Sequence, residues 1–373
     1  MRGLLISVLI LLSCGLFAEV VGEVTYVSGD VAILRDEESY DFLDPGMEVE
    51  NYDLIQTSSN GEISIRLESA VSPTTEVKVQ PNTAFTIELN DFGTKKASTI
   101  EMLTGSIALK VNSLTSSQDF NVRSESTVMG VRGTAFVVES TPGGDILVSC
   151  DEGSVECSGS SGKKVFAKPG TVVEQRSDGE IKGIPVSVTS LKQYRKDWLA
   201  ERVSAFKANA LRAIKNYANL YDEYIDKFKD AYSELMENEK VIKKWLAENK
   251  KKQMGDKIEI MREKKALIGP LFKLRRVLFM FEKVYFRLVE LKGYYDEGLG
   301  RGEIKPGVNA GDFFKKFAAE QKVLKEKVGK VKSVMKMYAI RNNGFFPTDA
   351  FNDDSGFFED DNSLSKTSDK FDF

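Results

Sequence analysis

Residues 128–138 read VMGVRGTAFVV, in which two runs of strand-forming residues flank a Gly-Val-Arg-Gly turn. Gly130 and Gly133 bracket Val131 and Arg132, and glycine permits a sharp bend or a close approach of two backbones. The stretch therefore predicts two short strands joined by a tight connection.

Two side chains of this turn, those of Arg132 and Thr134, can form hydrogen bonds that would stabilise it. The guanidinium of Arg132 can tie neighbouring carbonyls or an acidic loop together through its fork of donors. The hydroxyl of Thr134 can close the turn by a local hydrogen bond. Because an arginine between two glycines is not a catalytic signature by itself, we expect the turn to have a structural role, with partner binding as the alternative.

Strand patterns extend outward from this turn over residues 20–186. Short runs such as GEISIRLE, TAFTIEL and GSIALKV alternate apolar and polar residues and are separated by turn residues such as Asn60-Gly61 and Asp178-Gly179. Alternation with a period of two marks half-buried strands. Many short strands at near-regular spacing predict an all-β domain, a short-stranded sandwich or a solenoid-like fold.

The pattern changes near Ser190, where Ser190 and Gln193 have the spacing of a capping box. Apolar residues then recur at steps of three and four, which is typical of amphipathic helices. Pro270 is expected to break or kink one of these helices. We predict a helical bundle or coiled-coil region after the β domain, so that the whole chain is α+β.

The N-terminus has the pattern of an export signal, with Arg2 followed by an apolar run of about eleven residues. Cleavage after Ala18 competes with lipidation of Cys14, which lies in a relaxed lipobox (residues 11–14). We expect an exported protein, most simply periplasmic, or one anchored to an envelope membrane through Cys14. The expected domains are a signal peptide (1–18), a β domain (19–187), a basic helical domain (188–341) and an acidic disordered tail (342–373).

Cys150 and Cys157 flank a Gly153-Ser154 dipeptide that suits a two-residue hairpin loop. Such a hairpin places the two cysteines directly opposite one another. A disulfide in an oxidising compartment and two small buried thiols in the β core are both consistent with the sequence.

Charge is strongly segregated along the chain. Residues 19–189 hold 13 basic and 27 acidic side chains, residues 190–341 hold 36 and 21, and residues 342–373 hold 2 and 8. The opposite charges of these segments either pair with each other within the chain, or the basic segment presents its surface to an anionic partner such as lipid or peptidoglycan. The candidate lysines are Lys243, Lys244, Lys250, Lys251, Lys252, Lys325, Lys327 and Lys330. Export argues against nucleic acid.

The acidic tail contains scattered aromatic residues, as segments that fold on binding often do. Two pairs of phenylalanines, Phe345 with Phe346 and Phe357 with Phe358, are candidate anchors for a partner groove. The alternative is a tail that contacts its own helical domain.

The chain contains no histidine, which removes the commonest general base and the usual Ser-His and Cys-His pairs. Glycosidases need only two carboxylates, yet no pair stands out among the surface acids. We therefore expect no enzymatic activity, no metal site and no cofactor.

The turn at residues 128–138 resembles the core motif of the FecR domain family. Supporting pieces follow in family order, among them residues 53–57, 81–83 and 168–170, and the resemblance covers about residues 20–174. It implies an all-β envelope domain that binds protein. The best-known family members add a cytoplasmic anti-sigma segment and a membrane span, and we expect neither in this chain. The expected function is therefore an envelope scaffold or protein-binding protein, or alternatively a signalling component that acts through a membrane partner.

Overall fold

The computed structural model describes residues 20–68, 74–91, 96–124, 126–159, 162–251 and 253–347. Within these residues the chain forms a β-rich part followed by a helical part, which confirms the predicted α+β fold class. The strands of the β-rich part are β1 (Val20–Ser28), β2 (Val31–Arg35), β3 (Glu38–Tyr40), β4 (Glu48–Glu50), β5 (Leu54–Thr57), β6 (Glu62–Leu67), β7 (Thr75–Val79), β8 (Ala84–Asp91), β9 (Lys96–Thr104), β10 (Ser106–Val111), β11 (Gln118–Arg123), β12 (Thr127–Val131), β13 (Ala135–Ser140), β14 (Ile146–Glu152), β15 (Val155–Gly159), β16 (Lys164–Ala167), β17 (Thr171–Gln175) and β18 (Ile181–Pro185).

These strands form two sheets of nine strands each. Sheet A has the order β18-β17-β14-β13-β10-β7-β6-β1-β4, and sheet B has the order β16-β15-β12-β11-β9-β8-β5-β2-β3. From β6 onward the chain adds one or two adjacent strands to one sheet before it crosses to the other, and both sheets grow in the same direction. Neighbours are antiparallel except β9 and β11, which run parallel. The result is the short-stranded, solenoid-like sandwich that the alternating runs predict.

The sandwich core lies between the inner faces of the two sheets. Inward residues such as Ile33, Phe85, Phe120, Phe136 and Val138 are at most 1% exposed. Their alternation with outward residues follows directly from the period-two pattern of the sequence. The core therefore explains why the VMGVRGTAFVV stretch changes sheet, since Val131 and Phe136 must face the same interior.

The helical part consists of five α-helices and one small hairpin. They are α1 (Leu191–Ala208), α2 (Ala210–Met236), α3 (Glu239–Lys250), α4 (Lys257–Asp296), the hairpin of β19 (Glu303–Lys305) and β20 (Val308–Asn309), and α5 (Ala310–Arg341). The apolar stripe of α2 packs along α4, where the rings of Phe228 and Phe281 stack 4.4 Å apart. No helix in the described part of the chain is long and apolar enough to cross a membrane.

Of the two outcomes expected at Pro270, a break does not occur, since helix α4 continues through that residue, although an interior proline costs about 3 kcal/mol. Leu267, Leu271 and Leu274 around it are fully buried, and this packing outweighs the lost hydrogen bond. At the start of α1 the hydroxyl of Ser190 donates to the Ser187 carbonyl instead of capping the helix.

The helices cover both outer faces of the sandwich. Helix α1 lies on sheet A, where Leu191 and Trp198 pack against Leu147 and Val172. Helices α4 and α5 lie on sheet B, whose outward residues belong to the same apolar cluster as the helices. The helical region is therefore packed on the β domain and does not project from it.

Charge pairs join acidic side chains of both sheets to the basic helices. Arg275 of α4 bonds Glu88 of β8 at 2.8 Å, and Lys336 of α5 bonds Glu50 of β4. Lys332 of α5 also donates to the hydroxyl of Thr86. Acidic and basic segments thus form ion pairs with each other inside the molecule. This agrees with the interpretation that their opposite charges pair within the chain.

Candidate functional site

The family motif forms the crossing from β12 in sheet B to β13 in sheet A. Val131 at the end of β12 is buried, and the chain turns at Arg132 and Gly133 before β13 begins. The turn lies at one end of the sandwich, beside the β10–β11 connection and the β14–β15 turn. This position follows from the approach of Gly133 to Ser113 and of Gly153 to Thr134.

Two glycines fix the shape of this end. Gly133 has a φ of 62° and Gly153 a φ of 84°, and side chains other than glycine rarely adopt such values. A Cβ on Gly153 would lie 2.8 Å from the Gly133 carbonyl oxygen. Gly130, in contrast, sits in regular strand with open space around it. The β12–β13 and β14–β15 turns therefore pack closely against each other at Gly133 and Gly153. At position 130 the packing does not require a glycine.

Arg132 differs from the sequence prediction. Its side chain is exposed, and among the described residues it makes no hydrogen bond or ion pair. Thr134 is buried, and its hydroxyl finds no partner among those residues. The turn is closed by backbone geometry and by the hydrogen bond from Val111 N to the Thr134 carbonyl at 2.8 Å. Neither side chain ties the turn together, because the glycines already determine its shape.

Replacing Arg132 with Ala is therefore expected to change the free energy of unfolding by less than about 0.5 kcal/mol, as for an exposed side chain without contacts. Thermal unfolding of the variant and of the wild type measures this directly. A clear drop in the melting temperature would restore the structural role for Arg132.

The two cysteines do not sit in one hairpin. Cys150 lies on β14 in sheet A and Cys157 on β15 in sheet B, because the chain crosses between the sheets at Gly153. Both are free thiols in the core. Burial raises the pKa of Cys150 to about 11 and that of Cys157 to about 12. Such thiols are poor nucleophiles, and the predicted cross-strand placement is corrected.

One buried carboxylate stands out on the outer face of sheet A. Burial raises the pKa of Glu139 on β13 to about 7, against the opposing effect of Arg195. Its Oε2 atom is buried without a hydrogen-bond partner among the described residues. The ionised form of Glu139 is therefore unfavourable in its position under α1.

Replacing Glu139 with Gln is expected to stabilise the protein at about pH 8 by roughly 1–3 kcal/mol. Because the folded-state pKa of Glu139 is raised, its protonation favours the folded state, and stability is lost as pH rises from the unfolded pKa through about 7. The difference between variant and wild type should vanish near pH 4–5, roughly the ordinary pKa of glutamate. Urea unfolding of both proteins across this range tests it, and a pH-independent difference would contradict it.

A small cleft of about 80 Å³ lies at the opposite end of the sandwich, between the β13–β14 and β17–β18 turns and the α1–α2 junction. Arg202 within it bonds Glu174 at 2.6 Å, and Asp145 accepts from the Ser177 backbone N–H. Its charged groups are thus engaged within the chain, and we assign no ligand to it. No group of three or more acidic or cysteine side chains that could hold a metal ion occurs in the described ranges.

The candidate lysines divide into two classes. Lys243 pairs with Glu239, Lys244 with Glu259 and Glu263, and Lys330 with Glu37. Lys325 donates to Ser39, and Lys327 lies over the ring of Tyr232. Lys250 and Lys251 are exposed and make no such contact in the part of the chain that the structure describes. Lys252 falls outside the described residues.

The first phenylalanine pair contacts the chain itself. Phe346 is fully buried against the rings of Phe272 and Tyr338, and its N–H donates to Asn90 on β8. Phe345 is half-buried. Phe346 is therefore occupied within the molecule and is not available to a partner groove. Phe357, Phe358, Cys14 and the rest of the predicted export signal lie outside the described residues.

Comparison with known proteins supports the sequence resemblance. Residues 53–156 match the model of the family described as FecR protein, which confirms that resemblance over a narrower range than about 20–174. The matched range begins at the start of β5 and ends in β15, so it contains the turn at Arg132. The helical region lies outside it.

Two crystal structures of a "putative anti-sigma factor" from Parabacteroides distasonis ATCC 8503, at 1.65 and 2.50 Å resolution, are also similar to the chain. The sequence identities are 17% and 18%, the TM-score is 0.31 for both, and 38% and 37% of this chain are covered. The chain spans 63% and 62% of the length of those chains. No curated protein matches it.

Proposed function

We propose that this chain is a non-enzymatic protein of the cell envelope whose FecR-like sandwich binds another protein through the end that carries Arg132. The observation that carries the proposal is the exposed Arg132, which makes no bond among the described residues and stands on a rigid turn inside the family-matched range. Arginine on a fixed backbone is well suited to bidentate recognition of a carboxylate.

The packing of the helices supports this choice of surface. Both outer faces of the sandwich are covered in part by the chain's own helices, α1 on sheet A and α4 with α5 on sheet B. The end loops around Arg132, including Ser113 and Ser154, are exposed. We therefore assign partner binding to the end loops around Arg132. The helices shield the outer faces of the sandwich from solvent.

A signalling component acting through a membrane partner is the second candidate. The match to FecR, a family whose best-known members are regulators, favours it, and it uses the same protein-binding surface. A carboxylate-dependent glycosidase is least supported. Glu139, whose pKa is raised to about 7, lies under α1 and does not line the cleft.

Site-specific photo-crosslinking in living cells tests the proposal. A photoreactive residue at Ser154, beside the turn, is compared with one at Asn219, an exposed position on α2. We expect a defined protein adduct from position 154 that is absent from position 219 and is lost when Arg132 is also replaced with Ala. Equal adducts at both positions, or an adduct that is insensitive to Arg132→Ala, would reject this surface.

A further inference from the structure

The corner between α3 and α4 exposes apolar side chains that a soluble surface would normally cover. Met254 is 46% exposed, Ile258 62% and Met261 68%. Ile258 and Met261 are three residues apart in α4 and therefore lie on one face of its first turns. The opposite face, which includes Ile260, packs on the helical core. With Met254 in the loop just before α4, Ile258 and Met261 give the corner three exposed apolar side chains, which are called the apolar tip.

Exposed cations surround this tip. The sequence nearby is rich in basic residues, and five of the described ones are exposed and make no hydrogen bond or ion pair within the described ranges. These residues are Lys250, Lys251, Lys257, Arg262 and Lys265.

The acidic groups at the corner are already engaged. Asp256 caps α4 by accepting the N–H groups of Ile258 and Glu259. Glu259 bonds Lys244 at 2.7 Å. Five exposed cations outnumber Asp256 and Glu259, and Glu259 is already paired with Lys244, so the outward surface carries a net positive charge around the apolar tip.

We propose that this corner binds the surface of an anionic phospholipid membrane. Met254, Ile258 and Met261 insert at the level of the acyl-chain boundary, and the five cations contact headgroup phosphates. Helices with an apolar face and flanking Lys and Arg bind membrane interfaces in this manner, and long basic side chains extend to the headgroups from an apolar base. The inference goes beyond protein binding at the Arg132 turn and does not depend on it.

The shape and chemistry of the corner favour lipid over a polymer or a protein. The apolar side chains project from a helix start and the loop before it, so they suit insertion into a soft layer. Cell-wall polymer would satisfy the cations but would leave the methionines and the isoleucine in water. Each Lys or Arg near an anionic membrane surface contributes about 1 kcal/mol. Removing three of them should therefore weaken binding by more than about tenfold.

Vesicle flotation of the chain without residues 1–18 tests the proposal. The probes are vesicles of three parts phosphatidylcholine to one part phosphatidylglycerol, and vesicles of phosphatidylcholine alone. The wild type should bind the first and not the second, and high salt should release it. The charge variant is Lys250→Gln with Lys251→Gln and Lys257→Gln. The apolar variant is Met254→Ser with Ile258→Ser and Met261→Ser.

A matched control removes the same charge elsewhere. Lys315→Gln, Lys316→Gln and Lys322→Gln lie in the first part of α5, are exposed and make no charge pair within the described residues. The C-terminal end of α5 is near the corner, where Arg341 contacts Trp245, and at 1.5 Å per residue Lys316 is about 38 Å away along the helix. Unchanged melting temperatures confirm that all three variants are folded.

Both corner variants should lose at least about tenfold in vesicle binding while the α5 control keeps wild-type binding. The proposal is overturned if the wild type ignores phosphatidylglycerol, or if the α5 control loses as much as the corner variants. It is equally overturned if the corner variants lose binding to purified peptidoglycan while retaining binding to the vesicles.

Discussion

Replacing Arg275 with Met is expected to lower the free energy of unfolding by about 3–5 kcal/mol at roughly pH 8. Arg275 of α4 bonds Glu88 of β8 at 2.8 Å, and the Glu88 side chain is only 4% exposed. Burial acts to raise the pKa of Glu88, but Arg275 and Asn90 outweigh it and hold that pKa below its usual value. Without Arg275, the carboxylate would remain buried and lose its cation.

The loss should depend on pH with a defined sign. Once Arg275 is gone, burial raises the folded-state pKa of Glu88, so its protonation favours the folded state. The destabilisation should therefore shrink as pH falls toward about 5. Urea unfolding followed by tryptophan fluorescence is a suitable measurement, because Trp198 and Trp245 are the two tryptophans of the chain and both lie in helices.

A second substitution separates charge from packing. Glu88→Gln in the Arg275→Met background removes the unpaired charge and keeps an acceptor for Asn90, which donates to Glu88 at 3.0 Å. The double variant should recover most of the lost stability. Lys227→Met, which breaks the exposed pair of Lys227 with Glu223, is the matched control and should cost less than about 0.5 kcal/mol. If the double variant is as unstable as the single one, the pair is not what holds the helices on sheet B.

Replacing Phe346 with Ala is expected to cost about 3–5 kcal/mol, the usual range for a fully buried phenylalanine. The ring lies 5.9 Å from that of Phe272 and 5.5 Å from that of Tyr338, with the Arg275 guanidinium over it at 5.5 Å. Its backbone N–H donates to Asn90 of β8. Phe346 thus packs the segment after α5 against helices α4 and α5 and bonds it to β8 of sheet B.

Phe345 supplies the control within the same dipeptide. It is only half-buried, so Phe345→Ala should cost clearly less, about 1 kcal/mol. Chemical unfolding of both variants gives the comparison. Equal effects, or a negligible effect of Phe346→Ala, would show that residues 345–347 add little to the fold and would return Phe346 to the candidates for partner binding.

The regular parts of this fold could be predicted from the sequence because local patterns determine them. Period-two alternation in runs such as GEISIRLE identifies strands, and steps of three and four after Ser190 identify helices. Turn residues separate the strands correctly. Charge segregation also indicated that the acidic and basic segments could satisfy each other.

What could not be predicted are the contacts that depend on distant parts of the chain. The sequence does not reveal that β14 and β15 belong to different sheets, and this places Cys150 and Cys157 apart in the topology. It does not reveal that leucines packed around Pro270 keep α4 intact. The exposure of Arg132 depends on Gly133 and Gly153 meeting across two turns, a contact between residues far apart in sequence.

The candidate lysines differ in their contacts because of how the helices pack. Lys244 is adjacent to Lys243 in sequence but is held by glutamates from α4. Lys250 and Lys251 look alike in the sequence and remain unengaged among the described residues. Only the packing of α3 on α4 distinguishes a lysine that holds the fold together from one that faces solvent.

The cover that α5 places on the sandwich has a consequence for folding kinetics. Asn90 and Phe346 are 256 residues apart, and Lys336 and Glu50 are 286 apart. Contacts this distant give the chain a high contact order, which is associated with slow folding. The sandwich is synthesised before the helix that shields it. Its charged outer face therefore remains exposed to solvent until α5 has been synthesised. Cells that make this protein should therefore depend on chaperones that hold the early sandwich apart from its neighbours.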